Sequence, residues 1–261
     1  MKIRIYNVGH GNMVTIHQPI NGIEKTILFD CGAIYTLTES LFESIQSYLK
    51  QNIAPNTIII SHKHIDHYAF CRAVNCDYLE HIIVNSELKE ELSWDSFLAK
   101  EKLKGRIIID LSKEKSLVGQ PLNSVAYNLD YHNITIYLGT DSNRFYKDNL
   151  NDKGIILYIE TQNGKMVLPG DCSYYSWPKS LNLYNLKYLL VPHHGMGVDA
   201  AWPPQESVPR LATEVYVSAQ TGQIKNAYHR KLLERIFNPS TTYNYTNVGT
   251  HQPFFYYEIN L

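Results

Sequence analysis

Between residues 62 and 67 the chain carries three histidines and one aspartate, in the order His62-Lys63-His64-Ile65-Asp66-His67. Imidazole nitrogen and carboxylate oxygen together form a donor set that zinc, manganese and iron accept. His62 and His64 alternate along an extended backbone and so point to one side, whereas Asp66 and His67 come where the chain turns away. The spacing therefore predicts two adjacent cation positions. The chemistry such a pair serves is hydrolysis by a metal-activated water. A histidine-rich surface turn is the bland alternative. It does not account for the β-branched run directly in front, Thr57-Ile58-Ile59-Ile60, which reads as a buried strand delivering the donors to its end.

Two later stretches supply matching groups. A predicted hairpin, with strands over 154–160 and 165–168 around Asn163-Gly164, delivers Leu168-Pro169-Gly170-Asp171. Its carboxylate can bridge two cations through its two oxygens. A strand over 188–191 empties into Pro192-His193-His194-Gly195. One of His193 and His194 completes most of two metal shells together with His62, His64, Asp66, His67 and Asp171. The sequence does not choose between them, and the other histidine would face substrate or lie behind the ligands. Earlier in the chain, Phe29-Asp30-Cys31-Gly32 ends a predicted strand over 25–29. An acid there fits a carboxylate bracing the metal loop from behind; a simple turn aspartate is the plainer reading.

The remaining elements must hold these strand ends together. Alternation predicts strands over 2–8 and 13–17, and Asn21-Gly22 is a strong hairpin turn. Leu41, Ile45 and Leu49 lie at helical spacing over 38–50, with Thr38 as N-cap. A short helix is expected over 67–74, a polar helix over 87–104 and another over 229–237. Strands are expected over 81–84, 106–111, 134–138, 214–218, 243–246 and 254–259. This mixture is α/β rather than all-β. Both halves send strands into ligand-type residues, which suits two stacked sheets sharing one site, and residues 1–261 read as one domain. The segments 112–131 and 200–210 read as loops shaping the pocket, with Ala201-Trp202-Pro203-Pro204 as either an aromatic–proline wall or a rigid turn.

Composition narrows the function classes. A hydrophobic content of 44% supports an ordinary core, and a formal charge of −1 gives no global basic signature for nucleic acid. Four cysteines make no disulfide framework. The start, Met1-Lys2-Ile3-Arg4-Ile5, has no apolar leader, and no run approaches the roughly 20 apolar residues of a membrane span. A cytoplasmic protein without membrane contact is expected.

His62-x-His64-x-Asp66-His67 resembles the signature of the metallo-β-lactamase superfamily. The resemblance implies a four-layer αββα sandwich with its metal centre at one edge of the sheets. The order of Val8-Gly9-His10-Gly11-Asn12, Phe29-Asp30-Cys31-Gly32, Leu168-Pro169-Gly170-Asp171 and Val191-Pro192-His193-His194-Gly195 is similar to that of the soluble hydrolase domain of ComEC-type DNA-uptake proteins and its free-standing relatives. That similarity spans about residues 2 to 259. It implies two divalent metal ions, zinc or manganese, and a phosphodiesterase or nuclease acting on single-stranded nucleic acid or a nucleotide. Hydrolysis of a small ester, lactone or thioester is the alternative within the superfamily, and a binding module that lost turnover is the alternative outside enzymes. Asp66 is expected to orient the attacking water or take its proton. His229, Lys225 and His10 are candidates to contact substrate or protonate the leaving group, His229 foremost. The sequence departs from the superfamily in one ligand: a mid-chain histidine is missing, His132 preceding the strand and Asp141 following it, which leaves Asp141 as an oxygen ligand and His81 as a poorer candidate. Asp171 in place of a cysteine, and the absence of a leader, argue against a β-lactamase proper. Nothing in the sequence names a protein partner.

Overall fold

The computed structural model describes residues 1–8, 11–32, 39–85, 97–98, 100–102, 104–111, 122–123, 131–139, 150–195, 212–218, 241–245 and 256–261. Among them, β1 (Lys2–Tyr6), β2 (Met13–Ile20) and β3 (Ile23–Cys31) form an antiparallel meander, followed by helix α1 (Glu39–Asn52). Strand β4 (Thr57–Ile59), the short helix α2 (Ile65–Tyr68), β5 (His81–Val84) and β6 (Ile107–Asp110) come next. A second sheet holds β7 (Leu122–Asn123), β8 (Ile134–Leu138), β9 (Ile155–Thr161), β10 (Gly164–Leu168), β11 (Leu186–Leu190), β12 (Glu214–Val217) and β13 (Thr242–Tyr245). The last strand, β14 (Tyr256–Asn260), returns to the first sheet and pairs antiparallel with β1.

Both sheets change character where the chemistry lies. From β3 to β6 the strands run parallel, as do those from β10 to β13. Parallel strands put their C-terminal ends on one edge, and loops leaving that edge are where open α/β sheets gather ligands. Strands β3, β4, β10 and β11 end there in Asp30, His62, Asp171 and the His193-His194 pair.

Apolar packing holds the edge in register. Ile3, Ile5, Val14, Ile16, Phe29, Ile59 and Ile83 of the first sheet meet Ile136, Leu138, Leu157, Leu168 and Leu190 of the second in one buried cluster. The opposite face of the first sheet, including Leu28, Ile58 and Ile82, packs against Ile45 and Leu49 of α1. Strand β4 is thus buried on both faces, which is why its sequence is a continuous apolar run rather than an alternation. The outer face of the second sheet, with Ile156, Val167, Leu189 and Val215, is covered by Tyr174, Trp177 and Leu181.

Most expected elements appear, with shifted ends. The Asn21-Gly22 hairpin extends both strands, because positive φ at both turn residues (52° and 77°) matches the twist of the flanking strands. The later hairpin turns at Gln162-Asn163, one residue before the predicted position, with Gly164 already paired to Thr161. The helix expected over 67–74 forms instead as α2, starting at Ile65 and passing into turns after Tyr68. An earlier start places Asp66 in the first turn, where a carboxylate suits the positive end of the helix. The predicted helix over 229–237, most of that over 87–104, and the segments 112–121 and 200–210 lie outside the described residues. Among those described, no helix is long and apolar enough to cross a membrane.

Candidate metal centre

Ser61 is the hub of the site. It follows β4, and its N–H donates to Asp30 Oδ1 (2.7 Å) while its hydroxyl donates to Asp30 Oδ2 (2.9 Å). Its carbonyl accepts from the Ile155 N–H at the start of β9 (2.8 Å), tying the second sheet to the metal loop. Asp30 is fully buried, with a left-handed φ of 54°, strained for a residue other than glycine. That backbone turn accompanies a carboxylate whose Oδ2 lies 2.7 Å from His67 Nδ1. A carboxylate there holds the proton on Nδ1 and leaves Nε2 for the site. Asp30, expected to stand behind the metal loop, lies against the ring edge of His67 that faces away from Asp171.

His67 Nε2 stands 3.1 Å from Asp171 Oδ1 and 3.8 Å from Asp66 Oδ2. His194 Nε2 completes this group, 3.4 Å from Asp66 Oδ2 and 3.5 Å from Asp171 Oδ1. Its Nδ1–H donates to the Ser218 carbonyl (2.7 Å). A second group forms from His62, His64 and Asp171, with His62 Nε2 3.6 Å from Asp171 Oδ2. The two oxygens of Asp171 therefore face different groups.

The His193-His194 pair, left open by sequence, is distinguished by the backbone. His193 (φ 50°, ψ 41°), His194 (φ 53°, ψ 20°) and Gly195 (φ 79°) are all left-handed. That conformation costs about 1–2 kcal/mol for each non-glycine residue. It turns His194 inward and leaves His193 38% exposed, its Nε2 3.9 Å from Asp171 Oδ2. Glycine is required twice nearby. Gly170 has φ +56° and a Cβ there would overlap the Ser61 side chain; a Cβ on Gly32 would overlap the Asp66 carbonyl.

The donors fit a cation. His67 Nε2 and Asp171 Oδ1 are buried and face each other at 3.1 Å outside good hydrogen-bond geometry, two opposed donors with room for an ion between the groups. A divalent ion satisfies both. Burial alone would lower the His67 pKa, but the carboxylates of Asp171 and Asp30 hold it well above the ordinary value. Burial would raise the Asp171 carboxyl, yet His67 and His194 hold it well below. Asp66 is likewise depressed, burial being overcome by its hydrogen bond to His194 and the charge of His67. His62 is pushed well down, first by burial and then by His67, so it stays a neutral imidazole, the form that ligates.

Other expected residues fall elsewhere. His10, Asp141, Lys225 and His229 lie outside the described residues. His81 begins β5 in register with Thr57, the first residue of β4, and so sits at the far end of the sheet from His62. His132 precedes β8, and its carbonyl accepts from Gln18 (3.0 Å). Neither replaces the mid-chain histidine. Sequence reasoning passed over Ser61, whose position directly before the motif was the available signal, and Ser218, which only the paired sheets bring to His194.

What the two mixed sheets and their ligand-bearing strand ends define is the metallo-β-lactamase fold. The metallo-β-lactamase fold protein YhfI from Bacillus subtilis aligns over 99% of this chain and 100% of its own, with TM-score 0.53 and 14% identity. Zn2+-bound PqqB from Methylobacterium extorquens aligns over the whole of both chains, with TM-score 0.51 and 10% identity. An E377D mutant of the β-hydroxylase CmlA aligns over 99% of this chain but 54% of its own, with TM-score 0.52 and 12% identity. At such identities the likeness is one of fold, and a hydroxylase among the neighbours shows that the fold does not by itself choose a reaction. No family model and no curated protein matches the sequence.

Proposed function

We propose that this chain is a metal-dependent phosphodiesterase, with all 261 residues serving one site as one domain. The observation that carries the reading is the convergence of Asp66, His67, Asp171 and His194, beside His62 and His64, with their donor atoms turned toward one another in a buried cluster. Asp66, His67, Asp171 and His194 would hold one divalent cation, and His62, His64 and Asp171 a second, zinc or manganese by their donor chemistry. Such a pair, when bound, would lower the pKa of water and neutralise charge growing on substrate oxygens. Asp66 has a 19% exposed side chain at the rim of an otherwise buried cluster. It orients the attacking water; with a depressed pKa it accepts that proton only transiently. His193, half-exposed beside Asp171, faces the substrate side as a neutral donor and acceptor. His229, Lys225 and His10 are assigned to substrate contact and leaving-group protonation.

A phosphodiester is favoured over an uncharged ester because its anionic oxygens complement a dication in the ground state. The resemblance of the turn order to ComEC-type hydrolase domains leans the same way. A formal charge of −1 disfavours long duplex DNA, so a nucleotide or a single strand is the substrate we assign. Free thiols at Cys31, Cys71, Cys76 and Cys172 suit a cytoplasmic setting. The test is hydrolysis of bis-nitrophenyl phosphate against a nitrophenyl ester and a lactone, with zinc or manganese added. Diester cleavage abolished by Asp66→Asn and by His64→Ala supports the reading. Bound metal with ester or lactone turnover alone moves the assignment to those substrates.

A further inference from the structure

The two cation positions are not equivalent. The one between Asp66, His67, Asp171 and His194 offers four groups and two carboxylates; the other, among the described residues, offers three groups and only the shared carboxylate of Asp171. Affinity for a divalent ion rises with the number and charge of its donors. In each position one pair of donors faces across the place of the ion, His67 Nε2 and Asp171 Oδ1 at 3.1 Å in the first and His62 Nε2 and His64 Nδ1 at 2.9 Å in the second, so a cation replaces one contact in either and the donor count decides between them. Support from behind differs as well. In the four-group position each imidazole is fixed by its distal nitrogen, His67 by Asp30 at 2.7 Å and His194 by the Ser218 carbonyl at 2.7 Å. In the three-group position His62 has the Ser61 hydroxyl at 3.0 Å, shared with Asp30, and His64 lies only half-buried.

We infer that the protein loads its cations in a fixed order, first at Asp66–His67–Asp171–His194 and only then at His62–His64–Asp171. The second position is weaker and exchangeable, so the free concentration of the metal decides how much of the protein carries both ions. The inference rests on the metal-dependent reading of the site and deepens it.

Titration of metal-free protein with cobalt(II), followed by visible absorbance and by metal analysis after gel filtration, tests the order without any measure of turnover. The wild type is expected to bind two equivalents in two phases at least about tenfold apart in Kd. His64→Ala should keep the first phase and lose the second. Asp66→Asn, chosen because it alters the rim of the cluster rather than its core, should weaken the first phase by about 10- to 100-fold while remaining folded by circular dichroism. Two equivalents in a single phase, or loss of the first phase in His64→Ala, overturns the loading order and leaves the metal-dependent reading standing. A folded wild type that binds no cobalt overturns both.

Discussion

Replacing Gly32 by alanine tests whether the metal loop is positioned as closely as its geometry demands. A Cβ added at Gly32 would stand 1.5 Å from the Asp66 carbonyl oxygen and 2.3 Å from the His67 amide nitrogen. An ordinary non-bonded separation is about 3.5 Å, so the peptide between Asp66 and His67 must retreat by about 2 Å. The neighbours that could yield are themselves tied: Asn12 N–H donates to the Asp66 carbonyl (3.3 Å), and the Gly32 N–H donates to the Asn12 carbonyl (3.0 Å). Overpacking costs about 1–3 kcal/mol of stability, and because every atom met here is backbone the cost lies at or above the top of that range, within the roughly 5–15 kcal/mol a domain has to lose. Function should suffer more. Ligand sets tolerate about 0.5 Å of error, and about 1 Å of misplacement costs about 100-fold in rate. Gly32→Ala is therefore expected to remain folded, with a clearly lowered Tm, while losing at least about 100-fold in metal affinity or turnover. Circular dichroism with thermal melting, metal analysis and a diester assay would be read together. A folded variant with wild-type metal content and activity within tenfold would refute the argument that the Asp66–His67 peptide is fixed by contact with residue 32.

Further predictions concern the braces and the charge balance. Asp30→Asn leaves an acceptor for the Ser61 N–H but sets an amide against the Ser61 hydroxyl and His67 Nδ1. Metal affinity should fall about 10- to 100-fold and stability by about 3–5 kcal/mol, the usual cost of breaking a buried pair; unchanged affinity by competition titration would count against the bracing role. Removing bound metal with a chelator should lower the Tm by about 5–10 °C, the effect of a ligand present at about 100 times its Kd, and a melt unchanged by chelation contradicts a native metal site. His17 provides a pH test away from the centre. Burial, then the charge of Arg4, lowers its folded pKa, so the unfolded chain binds its proton more readily. Stability from this residue is therefore present above about pH 6.5 and lost as pH falls below it. Denaturant unfolding between pH 5 and 7.5 should show a smaller pH slope in His17→Gln than in the wild type.

The sequence determined which residues stand together as candidate donors, because His62, His64, Asp66 and His67 are adjacent in the covalent chain and follow a strand whose apolar run is unambiguous. It also marked Asp30, an acid at a strand end before glycine, and the strand ends carrying Asp171 and His193-His194. It did not mark where α2 begins, since a four-residue helix lacks the periodicity that betrays a longer one. Only the tertiary structure separated His194 from His193, because a left-handed backbone over adjacent identical side chains leaves no trace in residue type. The division of Asp171 between two groups likewise depends on strands from both sheets meeting at one edge. Ser218, 24 residues beyond His194, accepts from its imidazole and donates to the Gly11 carbonyl, 207 residues away. Contacts of that separation are set by sheet packing, and local sequence carries no record of them.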